Sequence, residues 1–73
     1  MKLIEEKEIG PEAYVRIYET NDFEELEKYI DKHWCDLSVS IEDFTKGKTY
    51  IINEYHDENR PIITIEECEK EVG

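Results

Sequence analysis

The stretch "NDFEELEKYIDKHWC", residues 21–35, decides the fold that this sequence predicts. Asn21 is a good N-cap residue, and Glu24, three positions later, completes a pattern like a capping box. The apolar residues recur at spacings of three and four, which places them on one face of an α-helix: Phe23, Leu26, Ile30 and Trp34. We therefore expect a helix over residues 22–35, with Trp34 as an aromatic core anchor near its end.

The segments on either side of the helix alternate in the manner of β-strands. In "AYVRIYE", residues 13–19, we expect one set to face the core: Ala13, Val15 and Ile17. A weaker strand over residues 2–9 precedes it across a Gly-Pro turn. Three further strands are predicted after the helix: residues 38–44, 49–55 and 61–67. Residues 65–72 also fit a short closing helix, because Thr64 and Glu67 match a capping box.

These elements predict an α+β fold in a single small acidic domain spanning residues 1–73. We expect an antiparallel sheet of about four to five strands with one helix packed on it, in the order ββαβββ. The alternative is an SH3-like partial barrel made from residues 38–67. A chain of this length buries a small core, so its stability should be marginal.

Charge is the most unusual property of the chain. Twenty acidic residues against nine basic ones give a net charge of −11. This excess argues against direct binding to nucleic acid or to an anionic membrane, since both are anionic, and it favours a basic protein surface as partner. No apolar run approaches the roughly 18 residues that span a membrane, and the amino terminus is not a signal peptide. We expect a cytoplasmic protein.

Residues that could carry chemistry are few. The histidines and cysteines match no common zinc pattern in their spacing: His33, Cys35, His56 and Cys68. Cys35 falls at a helix C-terminus, whereas reactive thiols favour helix N-termini and positive neighbours. No GxSxG, HExxH or phosphate-binding glycine loop occurs. We therefore expect neither an enzyme nor a bound metal or cofactor.

The acidic residues concentrate on or between the three predicted C-terminal strands. We take seven of these acids as candidate partner-binding residues: Glu42, Asp43, Glu54, Asp57, Glu58, Glu66 and Glu67. Glu69 belongs to the same acidic group. Same-face residues of a strand lie about 6.6 Å apart and strands about 4.8 Å apart, while duplex DNA presents one charge per ~3.4 Å on each strand. Such carboxylates could occupy a groove lined by Arg and Lys that normally holds phosphates. The alternative is an ordinary solvated face.

Three tyrosines are the candidate aromatic contacts with a partner: Tyr14, Tyr18 and Tyr55. Tyr14 and Tyr18 share the strand face opposite the one expected to meet the core. Exposed tyrosine is enriched at protein interfaces, so these side chains could form an interaction face. The alternative is that they flank the helix or cover the sheet.

In size, acidity and mixed α+β pattern the chain resembles the small phage-encoded inhibitors of bacterial defence, including anti-CRISPR proteins that act as DNA mimics. The resemblance lies in the character of the whole chain and not in a motif. It implies a Cas nuclease or another nucleic-acid-handling protein as target, in the host cytoplasm.

We therefore expect a non-enzymatic inhibitor that competes with nucleic acid for a basic protein surface. The alternative is a small accessory or structural interaction module whose acidity serves solubility. A metal- or small-ligand-binding module is a third reading. A free strand edge could also pair with a second copy to form a homodimer.

Overall fold

The computed structural model describes residues 1–68. Over this range the chain forms an antiparallel sheet with strand order β1-β2-β3-β4. Its strands are β1 (Lys2–Gly10), β2 (Ala13–Thr20), β3 (Thr49–His56) and β4 (Ile62–Cys68). A helix, α1 (Phe23–Lys32), and two 3-10 turns, Trp34–Asp36 and Ile41–Asp43, connect β2 to β3. The predicted α+β class is confirmed, with the order ββαββ in place of ββαβββ.

The sheet is open, and β1 and β4 form its two edges. The chain therefore does not form the SH3-like partial barrel that was the alternative. The strands predicted over residues 2–9, 13–19, 49–55 and 61–67 are all present within one or two residues. Residues 65–68 belong to β4, so the start of the alternative closing helix is strand, and residues 69–72 lie outside the described range.

The predicted strand over residues 38–44 is wrong. Ser40 and Asp43 form a capping box in which the Ser40 backbone N–H donates to Asp43 Oδ2 at 2.9 Å. Such local hydrogen bonds between side chain and backbone compete with strand pairing. The segment still helps to cover the core, because Ile41 and Phe44 pack against it from this 3-10 turn.

The helix is shorter than predicted and begins one residue later. Asp22, not Asn21, is the N-cap, and its Oδ1 accepts hydrogen bonds from the N–H groups of Glu24 and Glu25 at 2.9 and 3.3 Å. The helix ends at Lys32, with His33 as the C-cap. The chain then turns into a 3-10 helix, so the helical periodicity no longer applies, and Trp34 is 72% exposed instead of anchoring the core.

The core lies between α1 and one face of the sheet. Leu26 and Ile30 of the helix pack on three buried strand residues: Tyr50, Ile52 and Ile63. Residues paired across neighbouring strands share a face, and Tyr18 pairs with Ile52, so Tyr18 lies on the covered side. Its neighbours on β2 point the other way: Ala13, Val15 and Ile17. The expectation that this set faces the core is therefore wrong.

Candidate functional site

The acids predicted for partner binding do not share a face of the sheet. Glu54 lies under the helix and is only 6% exposed, so it is not part of the accessible acidic surface. Glu67 is on the same covered side, at its edge, where it accepts a hydrogen bond from the Thr45 N–H. Glu66 lies on the uncovered side, paired with Ile51. Glu66 and Glu67 diverge because successive strand residues point to opposite faces.

The remaining predicted acids belong to connections. Glu42 and Asp43 are exposed in the 3-10 turn before β3, and Asp43 is engaged in its capping box. Asp57 and Glu58 lie in the β3–β4 turn, where Asp57 Oδ1 accepts a hydrogen bond from the Asn59 N–H at 2.7 Å. Glu69 lies outside the described residues.

Asp57 and Glu58 meet a third carboxylate, Glu12, at one end of the sheet. Because the strands run alternately up and down, the β1–β2 and β3–β4 turns lie at the same end. The two turns line a shallow depression of about 410 Å³, and its lining contains no basic residue. We call Glu12, Asp57 and Glu58 the acidic rim. Arg60, in the same turn, is engaged elsewhere, since its Nη2 donates to the Cys35 carbonyl at 3.0 Å.

A second depression, of about 450 Å³, continues the acidic surface past the β1–β2 turn. It adds Glu6 and Glu8 to Glu12, and it contains one base, Arg16, whose Nε donates to Glu6 Oε2 at 2.6 Å. This hydrogen bond to Glu6 raises the pKa of Arg16. Sequence reasoning missed Glu8 and Glu12 because it considered only the C-terminal strands. The predicted hairpins could have located them, because the β1–β2 and β3–β4 turns of an antiparallel sheet lie at the same end.

The three candidate tyrosines occupy three different environments. Tyr14 stacks on His56 on the covered side, with ring centroids 4.6 Å apart and planes at 12°. Tyr18 packs against the core. Tyr55 lies on the uncovered face, half-buried. Of the three, Tyr55 is placed on a face that no other element of the described chain covers.

An apolar row crosses the uncovered face beside the acidic rim. The strand register aligns Val15 with Tyr55, and Tyr55 with Ile62, on β2, β3 and β4. We call these three residues the apolar row. Ile62 is 61% exposed. The row adjoins the rim directly, because Asp57 follows Tyr55 by two residues and Glu58 comes next in the same turn.

A partly buried polar network, centred on Glu54, joins the helix to the covered face. The Tyr29 hydroxyl donates a hydrogen bond to Glu54 Oε2, and His56 Nε2 lies 2.9 Å from Glu54 Oε1. Burial raises the pKa of Tyr29, and the hydrogen bond to Glu54 adds to the shift. The His33 ring completes the group, 4.4 Å from the Tyr29 ring. Both Glu54 oxygens are thus engaged, and the network positions α1 on the sheet.

The two cysteines, Cys35 and Cys68, are both free and exposed. Within residues 1–68, no group of three or more His, Cys, Asp and Glu side chains is placed to hold a metal ion. No helix in the same range is long and apolar enough to cross a membrane.

No protein-family model, no curated protein and no solved structure matches the chain.

Proposed function

We propose that this chain is a non-enzymatic inhibitor that binds the basic nucleic-acid-binding surface of a bacterial defence or nucleic-acid-handling protein. The observation that supports the proposal is the apolar row with the acidic rim at its end. An exposed apolar patch edged by polar groups is typical of a protein-binding site. Carboxylates at its edge select a partner whose matching surface is basic.

The overall charge supports the same class of partner. A net charge of −11 repels nucleic acid and anionic membranes and attracts basic protein surfaces. Basic surfaces of nucleic-acid-binding proteins hold phosphates through Lys and Arg. The inhibitor would occupy such a surface and exclude the nucleic acid by steric and electrostatic competition. Electrostatic potentials of opposite sign on the two proteins would make their association fast and sensitive to salt.

The arrangement of carboxylates differs from the array predicted on the C-terminal strands. Glu54 is buried, and Glu66 and Glu67 point to opposite faces. The charges that support the proposal are instead those of the acidic rim at the turn end of the sheet, while Glu8 lies on the covered side, paired with Tyr14. The expected contact is therefore with the turn end of the sheet and the adjoining apolar row.

The proposal is tested by capturing partners from bacterial lysate with the tagged protein, at low and high salt, and adding duplex DNA as competitor. We expect a nucleic-acid-binding protein that is retained at low salt and displaced by DNA. The rim variant Glu12→Gln/Asp57→Asn/Glu58→Gln should lose this partner. The matched control Glu24→Gln/Glu27→Gln/Asp31→Asn removes the same charge from exposed helix positions and should retain it. Equal loss in both variants would contradict a role for the rim.

A second candidate is an accessory interaction module whose acidity serves solubility. The exposure of Ile62 within the apolar row favours it, because apolar contacts alone could hold a partner there. Such a partner would remain bound at high salt, would not be displaced by DNA, and would tolerate the rim variant.

A further inference from the structure

We infer that the uncovered face of the sheet is a docking site for a cationic amphipathic α-helix of the partner protein, laid along β2, β3 and β4 over the apolar row. The inference deepens the proposed function and rests on it for the basic character of the partner.

The width of the face fits a helix. Three neighbouring strands spaced by about 4.8 Å form a surface about 10 Å across, close to the roughly 10–12 Å diameter of an α-helix with its side chains. The opposite face of the same sheet already accommodates one, since α1 places Leu26 and Ile30 on Tyr50 and Ile52. A second helix on the free face would complete a three-layer arrangement in the bound state.

The centre of the face is free of charge. Beside the apolar row, the next register row consists of Ile17, Asn53 and Thr64 on β2, β3 and β4. Together the two rows present aliphatic, aromatic and neutral polar side chains, with Ile62 61% exposed. Burying such a surface favours an apolar stripe on the partner, because removing apolar area from water stabilises the complex.

Carboxylates lie at both ends of this neutral centre. The acidic rim forms one end, and Glu19 and Glu66, which flank Ile51 in the following register row, form the other. Asp57 lies six positions after Ile51, which corresponds to roughly 20 Å of extended chain. A helix rises about 1.5 Å per residue, so about 13 residues bridge this length. The expected ligand therefore carries Lys or Arg near both ends of an apolar stripe of about 13 residues.

Charge also decides between this partner and a second copy of the chain. A second copy would bring another −11 and would oppose carboxylates to carboxylates across the face. Within residues 1–68, Lys2 and Lys7 reach this face from β1 at one side of it, opposite Glu19 and Val15 and with Glu5 between them. The cationic helix is thus expected over β3, away from β1.

The experiment uses three synthetic 14-residue peptides as probes and follows the backbone amide resonances of the ¹⁵N-labelled protein by NMR. The first peptide places Leu on one helical face and Lys on the others. The second has the same composition in an order that spreads Leu around the helix. The third replaces Lys by Glu. We expect the first to bind at least tenfold more tightly than the others, with shifts centred on the apolar row.

Two protein variants with the same added charge localise the contact. Ile62→Glu changes an exposed member of the apolar row, and Trp34→Glu changes a residue that is 72% exposed in the segment after α1. Ile62→Glu should weaken the first peptide at least tenfold, and Trp34→Glu should change its affinity less than twofold. Retained dispersion of the amide spectrum verifies that each variant is folded.

The inference is overturned if the scrambled peptide binds equally, if shifts fall on the helix side, if no peptide binds at millimolar concentration, or if the face instead mediates self-association. Failure of the inference is distinct from failure of the proposed function. Absence of peptide binding, together with a captured nucleic-acid-binding protein that DNA displaces, removes the docking site alone. Peptide binding without such a protein in the lysate removes the proposed inhibitor role alone.

Discussion

The two faces of the sheet present similar apolar side chains, yet the helix covers only one of them. The covered face carries Tyr18, Tyr50, Ile52, Ile63 and Ile65, and the uncovered face carries Val15, Ile17, Ile51, Tyr55 and Ile62. The covered face also carries the carboxylate of Glu54, whose two oxygens are engaged by the Tyr29 hydroxyl of the helix and by His56 of the same strand. These hydrogen bonds offset the cost of removing the Glu54 carboxylate from water when the helix covers this face.

The core and the proposed docking site thus lie on opposite sides of three strands. Substitutions on the covered face should lower the free energy of unfolding, whereas substitutions on the uncovered face should change binding and leave the fold intact. Measurements of stability on paired variants, one from each face, test this separation.

The largest expected effect comes from truncating the core. Leu26 is fully buried, so Leu26→Ala should lower the free energy of unfolding by about 2–5 kcal/mol, enough to unfold much of a domain this small. Ile62→Ala, on the uncovered face, should cost less than about 0.5–1 kcal/mol. Urea unfolding followed by circular dichroism measures both. Equal losses would mean that the uncovered face is also part of the core.

The next effect concerns the polar network beneath the helix. Tyr29→Phe removes the hydroxyl that donates to Glu54 and leaves a buried oxygen without that bond, at an expected cost of about 1–3 kcal/mol. Tyr55→Phe makes the same chemical change on the uncovered face and should be nearly neutral. The same urea experiment applies. If the two variants are equally stable, the network does not hold the helix.

The helix that covers the face also depends on its cap. Asp22→Ala removes the oxygen that accepts two N-terminal N–H groups and should cost about 1 kcal/mol. Asn21→Ala, the capping residue favoured by the sequence pattern, should cost little. Thermal unfolding of both variants decides between the two assignments, and a larger loss in Asn21→Ala would contradict the structure.

The smallest expected effect is a pH dependence. Burial raises the pKa of Tyr29 in the folded state above its unfolded value of about 10. Its contribution to stability is therefore complete below pH 10 and is lost as the pH rises from there toward the folded pKa. For one proton the slope cannot exceed about 1.4 kcal/mol per pH unit, and the partial exposure of Tyr29 should keep the loss by pH 11 below the effect of removing the cap. Urea unfolding between pH 8 and 11 should show this decline in the wild type and in Tyr55→Phe, and a weaker one in Tyr29→Phe.

Much of the secondary structure was predictable because it depends on local patterns. Alternation identified β2, and the spacing of Phe23, Leu26 and Ile30 identified α1. The strand predicted over residues 38–44 failed because apolar residues such as Ile41 and Phe44 can pack on a core from a 3-10 turn as well as from a strand. Trp34 was misplaced for a related reason, since a helix end changes the direction of every later side chain.

The candidate site was predicted only in part. Asp57 and Glu58 were identified, but their association with Glu12 depends on two hairpins ending at the same edge of the sheet. Tyr55 was identified for its residue type, and its alignment with Val15 and Ile62 depends on strand register.

By itself, the sequence determined the charge of −11, the α+β class and the position of the helix, because composition and periodicity are properties of the chain. Only the tertiary structure decided which face of the sheet the helix covers. Strand alternation defines two faces without ranking them, and on the chosen face Leu26 and Ile30 pack on Tyr50, Ile52 and Ile63 while Tyr29 satisfies Glu54. The face left open, with carboxylates at both ends, is the consequence of that choice.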